Sequence, residues 1–353
     1  MTRFKHVLVA AFLLLALHGF AQAQKKGEAS SQPQEQLAWP APPNEPRIKW
    51  VAEYRSEYDI GAKKRTSFLQ RLAGKVENAQ FLKRPIAVAA DDQGLVFVGD
   101  FGMGLVGIDP ANHRMWAFSS VSGRSMAAPS GVAVDSKFVY ACDSNGNSLS
   151  VYDKAGHFLQ ALGTDNGIKR PVGVAVDESR DLLVVVNGGE HQVLLFNRSL
   201  KLLKKVGRRG AAEGQFNFPT YVCMVPGQGF AVSDTGNFRV QLFDFNGKFL
   251  KSFGKPGDTS GNFSRPKGIA ADPDGNLYVV DSGFYNIQVF RLDGQLLTFV
   301  GGAGTGRGQF QIPCGIAINK EGAFFVADEV NGRVQRFQYL PQPPAPASAK
   351  PAK

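Results

Sequence analysis

Residues 265–301 read RPKGIAADPDGNLYVVDSGFYNIQVFRLDGQLLTFVG. Between Asp-Gly and Asp-Ser-Gly turn signals, β-branched and aromatic residues alternate with small or polar ones, a pattern that predicts four short strands. One such unit has two faces to bury and too little of itself to bury them with, so it needs neighbours of the same kind. The chain holds five more. The prolines that open the units are Pro85, Pro129, Pro171, Pro219, Pro266 and Pro313, spaced by 44, 42, 48, 47 and 47 residues, a period of propeller blades rather than of helical repeats.

Each proline leads into a short strand (IAVAA, GVAVD, GVAVD, YVCMV, GIAAD, GIAIN), and a second strand ends in FVGD, YACD, VVVN, AVSD, YVVD or FVAD. Small residues mixed with Val and Ile suit the innermost strands, where blades converge. Bulk lies farther out, at Phe196, Phe243, Phe290 and Phe337 of the third strands. The recurring pattern P-x-G-[IV]-A-x-D, [LF]-[YF]-V-x-D-[ST]-G, [RI]-V-Q-x-F and G-x-F-x-x-P resembles the NHL repeat. Blades four to six match it closely; blade one has Ile86-Ala87 in place of x-Gly and no V-Q-x-F. The resemblance spans about 84–338 and implies an all-β fold, a six-bladed β-propeller of four-stranded blades near 85–118, 129–162, 171–206, 219–253, 266–300 and 313–338.

Blade six lacks a fourth strand of its own, because Pro341–Lys353 (PQPPAPASAKPAK) cannot form one. RIKWVAEYR at 47–55 has a strand pattern and no blade. The N-terminal strand is therefore expected to complete the last blade and close the ring, within a domain of 47–340. Upstream, residues 1–23 read as a secretory signal peptide: Arg3 and Lys5, an apolar VLVAAFLLLAL, and Ala21-Gln22-Ala23 at the cleavage site. The apolar run is about half the ~20 residues of a membrane span. Cleavage near Ala23 would release an exported protein, periplasmic or extracellular, in which Lys plus Arg fall from 40 to 38 against 30 acids. Residues 24–46, rich in Gln, Ser and Pro, read as a disordered linker, and 341–353 as a disordered tail.

The connection 56–84 is oversized and contains KKRTSFLQRLAGKV at 63–76, with Phe68, Leu72 and Val76 on one helical face and Lys64, Arg71 and Lys75 elsewhere. It reads either as a lid packed on the propeller or as a docking element for a partner; membrane contact, if any, would run through 63–76. The cysteines Cys142, Cys223 and Cys314 fall in blades too far apart to bridge and are expected as free thiols.

In a propeller the fourth-to-first and second-to-third connections share one face, the usual binding surface. The six fourth-to-first connections hold 15 Lys or Arg against 6 acids. The second-to-third loops add Asp100, Asp143, Glu190, Asp234, Asp281, Asp328 and Glu329, so by sequence the face is close to neutral. Arg84, Arg170 and Arg265 precede the marker prolines of blades one, three and five, with Lys267 just after Pro266. They are candidates for a small anion or an acidic peptide; the alternative is that each pairs with a repeat Asp. Asp100, Asp143, Asp234, Asp281 and Asp328 end the second strands, where short carboxylates accept hydrogen bonds from turn amides. Phe101, Phe238, Phe284 and Tyr285 follow these turns, either stacking outward or filling gaps between blades.

Catalytic signals are weak. His113, His157 and His191 are dispersed, no metal or cofactor site is expected, and phosphate-loop and nucleophile-elbow motifs are absent. The family resemblance implies several roles: metal-dependent lyase or hydrolase, RNA binder, or ubiquitin-ligase subunit, the last needing a RING that this chain lacks. The reading is an exported, non-catalytic binding module for a protein partner, using the mouth face and the 56–84 insertion. A channel-mouth receptor or metal-dependent enzyme for a small anion is the first alternative. A polyanion or nucleic-acid binder is the second, which export disfavours.

Overall fold

The computed structural model describes residues 37–61, 82–119 and 126–340. The leader, the linker as far as residue 36, the segment 63–76 with Phe68 and Leu72, and the tail 341–353 lie outside the described residues. Among those described are six antiparallel sheets, five of four strands and one of five. Each first strand packs on the first strands of both neighbours, and that of blade six on that of blade one, so the ring closes.

Every first strand begins at a marker proline: Pro85–Ala90, Pro129–Val134, Pro171–Asp177, Pro219–Val225, Pro266–Ala271 and Pro313–Ile318. Each proline stands opposite the last residue of its second strand, as in Pro85 against Asp100, Pro171 against Asn187 and Pro266 against Asp281. Proline donates no amide, so its place at the start of the ladder costs no hydrogen bond. Two residues later the sequence has Ala87, Gly131, Gly173, Tyr221, Gly268 or Gly315. A Cβ at Gly268 would lie 2.3 Å from the carbonyl oxygen of Cys314 in the next blade, so the close approach of blades excludes a side chain there. Tyr221, at the same position in blade four, crosses the channel, and its hydroxyl donates to the Ile86 carbonyl of blade one at 2.7 Å.

Burial is distributed among the seams between blades rather than in one centre. The seam of blades one and six, for example, packs Val88, Val98 and Val106 against Phe325, Ala327 and Val334. The repeat motifs build the other seams. Phe216, Phe263 and Phe310 of G-x-F are wholly buried and meet Phe243, Phe290 and Phe337 of V-Q-x-F at ring separations of 5.6, 5.5 and 6.1 Å. The glutamine between them clamps the preceding loop. Gln288 donates to the Asn262 carbonyl at 2.9 Å and accepts from the Gly261 amide at 2.8 Å; Gln241 and Gln335 do the same in blades four and six.

Ile48–Tyr54 forms the fourth strand of blade six, paired with Arg333–Tyr339 from Ile48 opposite Tyr339 to Tyr54 opposite Val334. The sheet starts earlier than the expected boundary at residue 47. Ala38–Trp39 adds a fifth strand, Trp39 lies 5.8 Å from Phe337, and the chain expected to be linker as far as 46 is part of the fold from Leu37 onward. A Trp in a polar, Pro-rich stretch accounts for the difference: its large indole packs on Phe337 and against the apolar seam of blades five and six. Arg333, 1% exposed, joins both ends of the chain, donating to Asp328 at 2.8 Å, to Glu53 at 2.6 Å and to the carbonyls of Gly306 and Gln309. The insertion does not stay on the mouth face: residues 56–61 run toward the opposite end of blade one, where the Ile60 carbonyl meets His113.

Candidate binding face

The repeat carboxylates are interior groups. Asp100, Asp234, Asp281 and Asp328 are inaccessible to solvent and Asp143 is 6% exposed. They are held in two ways. In blades one, two and five each accepts backbone amides from the preceding connection and from its own turn; Asp281 takes those of Ser264, Arg265, Gly283 and Phe284 at 2.8–3.2 Å. In blades four and six Asp234 and Asp328 take one amide of that connection and the guanidinium of Arg239 or Arg333. Burial raises the pKa of both against the pull of these donors.

This division fixes the residue before the proline. Where Asp accepts its amide, as at Arg84, Ala128 and Arg265, the backbone keeps an ordinary φ. In blades three, four and six Arg170, Phe218 and Ile312 take left-handed φ of 48°, 47° and 58°. The freed amides of the first two go to the neighbouring blade: Arg170 donates to Asn147 Oδ1 at 2.7 Å and Phe218 to His191 Nδ1 at 3.0 Å. Such a backbone is unusual for bulky residues and persists where surroundings enforce it. Here it turns Phe218 outward, 55% exposed, with its ring 4.7 Å from that of His191.

The three arginines therefore differ. Arg84 pairs with Glu329 at 2.5 Å and lies over Phe101, whereas the side chains of Arg170 and Arg265 are exposed and make no ion pair with any described residue. None pairs with a repeat Asp, because backbone amides and, in blades four and six, the Arg239 and Arg333 guanidinium groups already surround those carboxylates. Lys267 turns to Cys314, 3.2 Å from Sγ, and Cys314 contacts Glu329. Burial pushes the Cys314 thiol up to about 12, with Lys267 pulling down and Glu329 up. Tyr221, its own pKa raised by burial and by Cys314 and Glu329, fills the space beside them. The mouth centre is thus a packed, hydrogen-bonded cluster, and Cys314, Glu329 and Tyr221 were not marked as its members by any sequence motif.

With the repeat acids buried, the exposed charged side chains of the face among the described residues are mostly basic. Lys83, Arg84, Lys169, Arg170, Arg208, Arg209, Lys255, Arg265 and Arg307 are exposed there, against Asp165, Glu190, Glu213 and Asp258. Phe101, Phe218, Tyr285 and Val330 are exposed among them, while Phe238 and Phe284 are half-buried. The opposite face differs. A basin of about 850 Å³ is lined by the first-to-second turns of all blades, and its acids tie blades together: Asp91 to Lys154, Asp135 and Glu178 to Arg198, Asp92 to Lys320. Burial works to raise the Asp135 pKa, but the amides of Phe138 and Lys137, Arg198 and the Tyr140 hydroxyl outweigh it and hold the carboxyl low. Among the described residues no group of three or more His, Cys, Asp or Glu is arranged to hold a metal ion.

The family model described as NHL repeat matches residues 263–290, the clamp and aromatic pair of blade five. With the six-bladed ring, this makes the chain an NHL-repeat β-propeller protein. No curated protein matches it. Among solved structures it is similar to a protein of unknown function from Bacteroides thetaiotaomicron, with 19% identity, a TM-score of 0.61, and coverage of 83% of this chain and 75% of that one. It is also similar to virginiamycin B lyase from Staphylococcus aureus, with 12% identity, a TM-score of 0.54, and coverage of 83% and 100%. A streptogramin B lyase aligns at 12% identity and a TM-score of 0.56, over 73% and 94% of the two chains. At these identities the likeness is one of fold.

Proposed function

We propose that this protein is an exported, non-catalytic binding module whose mouth face docks a protein partner. The observation that carries the proposal is the pair of exposed arginines without ion-pair partners among the described residues, Arg170 and Arg265, on the blades either side of an exposed Phe218. Exposed aromatic and guanidinium groups in one patch are the side chains that dominate protein interfaces. The leader-like residues 1–23 support export, and the dispersed histidines support a binding role over the metal-dependent chemistry of a lyase. A small-anion receptor at the channel mouth has less support, since Arg84 and Lys267 are engaged by Glu329 and Cys314. The test is the combined variant Arg170→Ala, Phe218→Ala, Arg265→Ala, crosslinked in its native host. The expected result is loss of the partner adduct with an unchanged melting temperature, because none of the three side chains is buried. Persistence of the adduct would contradict the proposal.

A further inference from the structure

We infer that the arc of the mouth face over blades three to five takes an extended peptide segment of the partner in which carboxylates flank an apolar side chain. The inference rests on the binding-module reading and specifies its partner. Three features lie in order along the arc. Arg170 is exposed on blade three, Phe218 projects from the entrance to blade four, and Arg265 is exposed on blade five. Each guanidinium presents a planar donor fork that fits a carboxylate with two parallel hydrogen bonds. Phe218 is held in place rather than free to fold back: its amide is fixed on His191 Nδ1, and its ring lies against the imidazole. The Arg265 carbonyl accepts the Ser282 amide at 3.1 Å, which seats the turn carrying exposed Tyr285 beside it and gives a second aromatic surface.

Charge selects the partner's sign. Of the acids on this arc, Asp234 and Asp281 are buried and hydrogen-bonded by amides, Asn237, Arg239 and Gln241, and the exposed Asp165, Glu190, Glu213 and Asp258 are outnumbered by the exposed Lys169, Arg170, Arg208, Arg209, Lys255 and Arg265. Glu190 is engaged by Lys169 at 2.7 Å. Shape selects an extended segment. The channel centre beside the arc is occupied by Tyr221, so no deep cleft opens there for a compact ligand. A polyanion without an apolar or aromatic group would use the arginines and leave Phe218 without a partner; a nucleic-acid strand, whose bases stack on aromatic rings, is set apart by the oligothymidine probe.

The test uses the full chain without its leader and fluorescence anisotropy with short labelled peptides. One carries Asp and Glu around Leu, a second replaces the acids by Lys, and a third replaces Leu by Ser; an oligothymidine of similar length is the fourth probe. The acidic, Leu-bearing peptide is expected to bind about tenfold tighter than each of the others. Arg170→Ala, Arg265→Ala and Phe218→Ala are each expected to weaken it about threefold to tenfold without changing the melting temperature. Tighter binding of the oligonucleotide, equal binding of the Ser peptide, or indifference to Phe218→Ala would overturn the inference. If no peptide binds while the wild-type protein still gives a partner adduct that the triple variant loses, the acidic-segment inference fails and the binding-module reading stands; if the wild-type protein gives no adduct at this face either, both fail.

Discussion

A chain lacking residues 37–55 is expected to lose the single cooperative melting transition of the propeller. The excised strands supply the fourth and fifth strands of blade six and carry Ile48 and Tyr54, both buried, with Trp39 and Trp50 packed against the seam of blades five and six. Each fully buried apolar side chain of this size contributes about 1.5–3 kcal/mol. Two of them, with the indoles and the ladder, reach the scale of about 5–15 kcal/mol that separates a whole domain from its unfolded state. A milder change keeps the test quantitative. Ile48→Ala leaves the strand in place and should cost about 2–5 kcal/mol, read from the urea midpoint. Unchanged melting of the deletion would show that the ring closes by other means.

Arg333→Met is the second large effect. It removes the donor that holds Asp328, Glu53 and two loop carbonyls, and leaves a fully buried carboxylate without its counter-charge. Breaking a buried pair in this way costs about 3–5 kcal/mol. The loss should depend on pH in a defined sense. Burial already raises the Asp328 pKa above its unfolded value, and removing Arg333 raises it further. A carboxyl with a raised folded pKa stabilises most when protonated, so the penalty is largest at neutral pH and shrinks as pH falls toward the unfolded value of about 4. Asp328→Asn in the Arg333→Met background should recover part of the stability at pH 7. A loss that is independent of pH would place the role of Arg333 in packing alone.

The fold was legible in the sequence because its determinants are local and repeated. A proline without an amide, a small residue where blades touch, a Gln that clamps the loop and a pair of phenylalanines each leave a mark at a fixed offset. The closing strand was legible as a strand pattern without a blade. What the sequence concealed is non-local. Asp234 and Asp100 were legible as acceptors of turn amides but not as buried groups; their burial depends on amides and guanidinium groups about 17 residues before or five after, and it leaves mostly cationic side chains exposed on the face. The outward turn of Phe218 depends on His191 in another blade, and the closure of the mouth by Tyr221 depends on a carbonyl from the opposite side of the ring. The strap at Ala38–Trp39 was hidden by its polar, Pro-rich surroundings, in which one Trp decides the outcome.

The most direct measurement on the mouth face is to place a photo-crosslinking amino acid at position 218 in one protein and at position 136 in another, express each in the native host, and irradiate. Phe218 lies on the mouth face and Ser136 on the basin opposite. The account predicts a discrete partner adduct from position 218 and none from position 136. An adduct from position 136 alone would move binding to the opposite face and contradict the account.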